Sequence, residues 1–145
     1  MEVASQVVVL NHGRIEQQGI SSDIYDHPTN EFVSKFIGQT NVFHVEEEDS
    51  QWLEHAGIMI DDPKGLVAHV RPHDIQIEKA QQPEQSPIIL KDWQHLGATI
   101  RLELSKIAGS NDIVYAQMPN EQFKNLNLNK GDHVLLQIKQ AHWFN

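Results

Sequence analysis

The strongest constraint on the fold is a strict alternation of apolar and polar residues late in the chain. Successive side chains of a β-strand point to opposite faces, so a period of two predicts a strand with one buried face. The alternating apolar positions are Ala98, Ile100, Leu102 and Leu104, and then Val134, Leu136 and Ile138. Shorter apolar runs predict further strands at 42–47, 58–60, 66–71, 75–78, 88–91 and 113–118. Short strands separated by turn residues are typical of a small antiparallel barrel or sandwich.

The first residues carry a different pattern, which predicts a β-hairpin. The β-branched run at 7–10 and the segment 14–19 flank Asn11-His12-Gly13, where Gly13 can supply the positive φ of a three-residue hairpin loop. After it, Ser21 or Ser22 is predicted to cap a short helix over about residues 22–27.

A second short helix is predicted from Asn30, which has the side chain of a good N-cap. Its apolar stripe at helical spacing consists of Phe32, Val33, Phe36 and Ile37. Gly38 stands where a left-handed C-terminal residue is expected. Because the strand pattern begins after it, we place the boundary there, with one domain at 1–38 and a β domain at 39–145.

Composition excludes several classes of protein. The 145 residues suffice for one compact domain or a small domain with an appendage, and they include no cysteine, which excludes disulfides and thiolate metal sites. A formal net charge of −9 argues against a nucleic-acid partner. There is no apolar run of the roughly 20 residues that a membrane span needs, and the N-terminus lacks a basic, apolar signal, so we expect a cytoplasmic protein.

Several motifs occur in the order found in ATP-binding subunits of bacterial ABC importers. Residues 2–17 resemble the end of the ATPase domain, and Tyr25-Asp26-His27-Pro28 with Phe36-Ile37-Gly38 is similar to the helical lead-out into the C-terminal regulatory domain. Val70-Arg71-Pro72-His73-Asp74-Ile75 resembles the signature of that domain. The segments 1–4 and 140–145 look like the sulfate/thiosulfate member, with sugar, polyol, iron and molybdate importers as alternatives.

The resemblance implies a mainly β fold, in which an oligonucleotide-binding-like (TOBE) antiparallel β-barrel is preceded by the hairpin and two short helices. It also implies a non-catalytic region that regulates the subunit and stabilises a homodimer beneath membrane permease subunits, peripheral on the inner face of the membrane. An effector role, sensing an intracellular oxyanion, and docking of a regulatory protein are the alternatives.

ATP-hydrolysing machinery is absent from the sequence itself. A P-loop needs G-x-x-x-x-G-K-[S/T] to hold phosphates and Mg²⁺, and neither this motif nor a Walker B pair, an ABC signature or the switch histidine occurs. We therefore expect no cofactor and no catalysis in this chain, ATP and Mg belonging to the parent subunit, of which the chain would be an excised fragment or a truncated product.

The candidate effector or interface residues are Arg71, His73, Asp74, Phe32, Phe36 and Trp143. Arg71 can donate to an oxyanion or a partner, although the same four-residue segment also reads as a turn in which Asp74 pairs with Arg71 or with backbone N–H groups. The stripe of Phe32, Val33, Phe36 and Ile37 is expected to pack between the ATPase domain and the barrel, and to cause self-association when the ATPase core is missing.

For three further sets of residues, a structural interpretation is favoured over a functional one. His69 and His73 have a spacing of four, but a strand followed by a turn does not make such a pair converge on a metal. The acidic run 46–49 is expected to be a solvated strand end. Trp52, Trp93, Trp143 and Phe144 are expected in the core or at a subunit contact, and not as a base-stacking platform.

Overall fold

The chain begins with the expected β-hairpin. The computed structural model describes residues 5–44, 52–53, 56, 66–106 and 113–144. In it, β1 (Gln6–Asn11) pairs antiparallel with β2 (Arg14–Ile20). The turn between them has a φ of 51° at His12 and 77° at Gly13. Positive φ costs little at glycine, so the predicted role of Gly13 is confirmed. The predicted three-residue loop is wrong, because Asn11 pairs with Arg14 and leaves His12 and Gly13 as a two-residue turn.

Two short helices follow, α1 (Ser21–Asp26) and α2 (Glu31–Ile37). The predicted serine cap of α1 is wrong: Ile20 is the N-cap residue, and the backbone N–H of Ser21 donates to the Ser5 carbonyl at 3.1 Å. That bond ties the start of the helix to the chain before β1. The cap of α2 is confirmed, because Asn30 Oδ1 accepts from the Val33 N–H at 3.0 Å.

Gly38 ends α2 in a way that differs from the prediction. Its φ of 179° and ψ of 167° are extended, not left-handed. The backbone leads straight on towards the next strand, and the chain passes close to an aromatic ring, since a Cβ at this position would lie 3.3 Å from Cε2 of Tyr25. Glycine therefore serves close packing here.

The hairpin and the two helices share a small apolar cluster of their own. Val9, Ile24 and Val33 are fully buried in it, with Val7 and Ile37 packed at its edge. The stripe predicted on α2 thus divides, because Phe32 and Phe36 point away from the cluster and are exposed. We call residues 5–37 the hairpin–helix segment.

The rest of the described chain is mostly strand. The strands are β3 (Asn41–His44), β4 (Val67–Val70), β5 (Ile75–Lys79), β6 (Ile88–Leu96), β7 (Thr99–Lys106), β8 (Ile113–Pro119), β9 (Val134–Ile138) and β10 (His142–Phe144). One helix, α3 (Asn120–Leu126), and 3-10 turns at Pro72–Asp74 and Pro83–Gln85 interrupt them. The sequence analysis missed α3 and β10, and its predicted strand at 58–60 and the end of that at 42–47 lie outside the described residues.

The strands form three antiparallel sheets in the orders β10-β4-β3, β5-β9 and β6-β7-β8. Their inner faces share one core, to which the alternating positions Ile100, Leu102 and Leu104 contribute fully buried side chains. The mainly β, antiparallel class is confirmed. Within the described residues the sheets do not join into one closed barrel ladder.

Local hydrogen-bonded contacts join the sheets in place of a continuous ladder. A single β-bridge links Ile89 of β6 to His133 next to β9. At the other side, the buried side-chain amide of Asn41 in β3 donates to the carbonyls of Val70 and Tyr115 at 3.1 and 2.8 Å, and accepts from the Tyr115 N–H at 2.8 Å. One asparagine thereby serves as a backbone-like link between β3, β4 and β8.

The described part of the chain contains no helix with the length and apolar character needed to cross a membrane.

Candidate functional site

The most unusual group of polar side chains lies where β4 meets the hairpin–helix segment. Ala68 and Val70 of β4 belong to the main core. The alternate positions, His69 and Arg71, therefore face the other side of the sheet, where they contact the hairpin–helix segment. Both are buried, with exposed fractions of 0% and 1%.

Arg71 holds the end of α2 through its backbone. Nη1 donates to the Gly38 carbonyl at 2.7 Å and to the Gln39 carbonyl at 3.2 Å. The guanidinium carbon lies 4.6 Å from the centre of the Tyr25 ring, within the range of a cation–π contact. Arg71 therefore connects α1, the end of α2 and the end of β4.

The electrostatics of Arg71 are those of a cation with little compensation. Burial lowers its pKa, while Tyr25 and Asp74 oppose that shift. Its Nε and Nη2 are buried and make no hydrogen bond within the described residues. A buried donor without an acceptor costs free energy of folding, so these two nitrogens reduce the stability that Arg71 contributes.

His73 and Asp74 lie next to Arg71, in the 3-10 turn. The Asp74 carboxylate lies 3.6 Å from His73 Nε2, and the Asp74 N–H donates to the Arg71 carbonyl at 2.9 Å. His73 also stacks on Tyr25 with ring centres 6.0 Å apart. The turn interpretation of this segment fits these contacts, in which the Asp74 carboxylate lies beside the His73 ring and the Asp74 N–H is bonded within the turn.

His69 joins two residues of α2 in an arrangement that has the connectivity of a Ser–His–acid triad. Its Nδ1 lies 2.9 Å from Ser34 Oγ, and its Nε2 lies 3.1 Å from Glu31 Oε1. A neutral ring with its proton on Nε2 satisfies both contacts. Ser34 and His69 are both 0% exposed, so no substrate reaches the hydroxyl, and the arrangement fastens α2 to β4.

The titration of His69 is shifted by its surroundings. Burial lowers its pKa below the ordinary value of 6.5, against the opposing effect of Glu31; Lys35 and Arg71 lower it further. The edge of the ring also packs against Phe144 of β10, with ring centres 4.9 Å apart. Burial and these neighbours therefore favour the neutral ring, which serves as both donor and acceptor.

The other residues singled out in the sequence are scattered. His69 and His73 do not share a site, and the described residues hold no cluster of three or more side chains that could bind a metal ion. Trp52 is buried against Phe43, and Trp93 lies against Phe123. The acidic run 46–49 lies outside the described residues.

Phe32, Phe36 and Trp143 are exposed on the surface beside α2 and β10, with fractions of 37%, 63% and 41%. The rings of Phe32 and Phe36 stack 5.8 Å apart. Between Phe32 and Trp143 lies a groove of about 440 Å³ lined by Thr29, Asn30, Glu31, Phe32, Trp143 and Phe144. We call it the aromatic groove.

Sequence reasoning found Arg71 but missed Tyr25, Glu31, Ser34 and the role of His69. One signal was present, since Glu31 and Ser34 lie three residues apart and so share one face of α2. Their partner on β4 depends on tertiary packing, which the sequence pattern does not carry.

Comparison with known proteins identifies part of the β region. Residues 90–139 match the family model described as a TOBE-like domain. The chain carries a TOBE-like domain. Over nearly its whole length it is also similar to the C-terminal part of sulfate/thiosulfate import ATP-binding proteins, which confirms the resemblance seen in the sequence.

The relatives are proteins named sulfate/thiosulfate import ATP-binding protein CysA. The one from Synechococcus elongatus is 37% identical and that from Nitrosomonas europaea 33% identical, each over 99% of this chain. A Bacillus cereus relative is 31% identical over the same share. The chain spans 40–42% of the length of these relatives. The similarity therefore covers both the β region and the hairpin–helix segment before it.

Replacing Arg71 with methionine tests its role in attaching the hairpin–helix segment to the end of β4. The variant loses two hydrogen bonds to backbone carbonyls and the contact with Tyr25, so we expect a loss of about 2–3 kcal/mol in the free energy of unfolding by urea. Amide hydrogen exchange should rise within residues 21–37 and stay low in β6–β8. The exposed Arg14→Met variant is the control, and equal effects of the two would contradict the role.

The lowered pKa of His69 predicts a pH-dependent stability. The unfolded chain takes up a proton near pH 6.5 and the folded chain only at lower pH, so the contribution of His69 is full above 6.5 and is lost as pH falls below it. The thermal midpoint should fall from pH 7.5 to 5.5. His69→Gln should flatten this slope, leaving the part due to His142, whose pKa burial also lowers.

Exposed His95→Gln, at the end of β6, is the control for the pH series and should keep the wild-type slope. A His69→Gln variant that folds and shows an unchanged slope would refute the assignment to His69.

Proposed function

We propose that this chain is the regulatory C-terminal region of the ATP-binding subunit of an ABC importer for sulfate or thiosulfate. The observation that carries the proposal is similarity over 99% of the chain to relatives bearing that name, at 31–37% identity. The TOBE-like domain and the motifs before it support the same assignment. The transported solute is taken from the names of the relatives, as no residue of this region is expected to select it.

In this proposal residues 1–38 are the end of the ATPase domain, and residues 39–145 are the regulatory domain. The two separate apolar clusters support the division. The position of Gly38 and Gln39 supports it too. These residues lie between the two clusters in the sequence, and their carbonyls accept hydrogen bonds from Arg71.

The work of the region is contact and not catalysis. ATP and Mg²⁺ would be held by the remainder of the subunit. Two copies would associate as a homodimer on the cytoplasmic face of the membrane, beneath the permease subunits. The exposed aromatic side chains on α2 and β10 offer apolar surface for such contacts.

The contacts of His69 and Arg71 with α2, Gly38 and Gln39, which we call the junction, give this region a means of transmitting movement. Arg71 and His69 attach both ends of α2 to β4, through Gly38 and Gln39 at one end and through Glu31 and Ser34 at the other. A helix held at both ends moves with the sheet as one body. Displacement of the ATPase domain during transport would therefore be passed to the regulatory domain.

A chimera tests the proposal. This chain replaces the corresponding C-terminal part of the Synechococcus elongatus relative in cells that lack that protein, and sulfate uptake is measured. We expect uptake clearly above that with the remaining part of the relative alone. The Arg71→Met chimera should give less uptake at an equal amount of folded protein, because the junction is loosened. A chimera that folds and hydrolyses ATP but does not raise uptake would contradict the proposal.

A second candidate function is the sensing of an intracellular oxyanion. The feature that favours it is the pair of buried guanidinium nitrogens of Arg71, Nε and Nη2, which lack hydrogen-bond acceptors within the described residues. An oxyanion offers acceptors in the geometry that a guanidinium fork prefers. Tyr25 covers the guanidinium, so its ring would have to move to admit the anion.

Titration calorimetry with sulfate, thiosulfate and molybdate separates the two candidates. The sensing function predicts heat and thermal stabilisation, both lost in Arg71→Met and enhanced or kept in Tyr25→Ala, where the cover is removed. A region that acts by contact alone shows neither heat nor stabilisation with any of the three anions.

A further inference from the structure

The aromatic groove combines two features, exposed aromatic rings and a carboxylate. Phe32 and Trp143 stand on either side of it, and both are more than one-third exposed. Glu31 also lines it, and the side chain of Glu31 is 38% exposed. The groove therefore presents aromatic surface and a carboxylate together.

Only part of the Glu31 carboxylate is engaged by the contact with His69. Its Oε1 accepts from His69 Nε2, at the inner side of the residue. The remaining lining residues are the polar Thr29 and Asn30 and the aromatic Phe144, so no basic side chain is part of the groove. Lys35, one turn further along α2, is exposed and lies outside the lining. The carboxylate thus brings negative charge to the groove without a cation opposite it there.

This combination selects the chemistry of an occupant. An apolar group placed in the groove would strip water from the Glu31 carboxylate without replacing it, at a free-energy cost. A cation avoids that cost, and aromatic rings attract cations over their faces. The formal charge of −9 on the whole chain adds a long-range attraction for a basic partner.

Among protein cations, arginine fits best. Its planar guanidinium stacks on aromatic rings and is more weakly hydrated than the lysine ammonium, so it loses less on leaving water. Its N–H groups can donate to Glu31 while its flat face lies against Trp143 or Phe32. A groove of about 440 Å³ has room for such a side chain with part of its backbone.

We propose that the aromatic groove is a docking site for an arginine side chain of a partner protein. Trp143 and Phe32 hold the guanidinium by stacking, and Glu31 supplies the charge. The site is built from residues of this chain alone, so it stands whether or not the importer assignment holds.

Nuclear magnetic resonance titration of the full 145-residue chain tests the site. The probe is the peptide acetyl-Gly-Arg-Gly-amide, followed through the indole N–H resonance of Trp143. We expect saturable binding in the millimolar range, as befits a single side chain. The peptide with citrulline in place of arginine has nearly the same shape without charge and should bind at least about threefold more weakly.

Three variants locate the binding site. In each of them, binding is measured from the backbone amide shifts around Thr29 and Asn30. Phe32→Ala and Trp143→Ala should each weaken it about two- to fivefold, the range expected for an exposed cation–aromatic contact. Phe36→Ala removes an exposed aromatic ring outside the groove lining and should leave the affinity unchanged. These variants leave the contact between Glu31 and His69 intact, so each is expected to remain folded.

The proposal is overturned if the arginine peptide gives no saturable shift, or if the citrulline peptide binds equally well. It is also overturned if Phe32→Ala and Trp143→Ala bind like the wild type, or if Phe36→Ala weakens binding as much as they do.

Discussion

Burial of the Arg71 guanidinium is the constraint around which the junction is arranged. A cation with 1% exposure must find its partners inside the protein, and here they are the carbonyls of Gly38 and Gln39 and the ring of Tyr25. The carbonyls are available because the chain is extended after α2, and the ring can approach because residue 38 has no Cβ. A change in any of these features leaves a buried charge without compensation, which costs far more than one lost hydrogen bond. The contacts of Arg71 and those of His69 with Glu31 and Ser34 together position α2 on the sheet.

Much of the local structure was predictable because it rests on backbone geometry. The alternation at Ile100, Leu102 and Leu104 places those side chains in the core, and Gly13 and Asn30 perform the turn and cap roles that their chemistry favours. Gly38 was misassigned because the local rule for helix ends could not include the distant Arg71 and Tyr25. The division of the α2 stripe into buried and exposed residues was not predicted, for a related reason. Helical spacing does not tell which apolar residues meet a partner and which remain exposed.

The candidate site was only half visible in the sequence. Arg71, His73 and Asp74 stood together in a motif, but Ser34 and Glu31 contact His69 across 35 and 38 residues of chain. No periodicity links such positions. The aromatic groove shows the same limit, because Phe32 and Trp143 come from opposite ends of the chain and become neighbours through the pairing of β10 with β4.

Asn41 has a consequence for the order in which the molecule assembles. Its amide reaches Tyr115 across 74 residues, whereas Arg71 reaches Gly38 across 33. Contacts between distant residues require the closure of a large loop, and they slow folding. On the ribosome, the Arg71 contacts can therefore form while β8 is still being made, and until then the Asn41 amide can bond the Val70 carbonyl but not Tyr115. We expect the junction to begin forming before the sheets are complete.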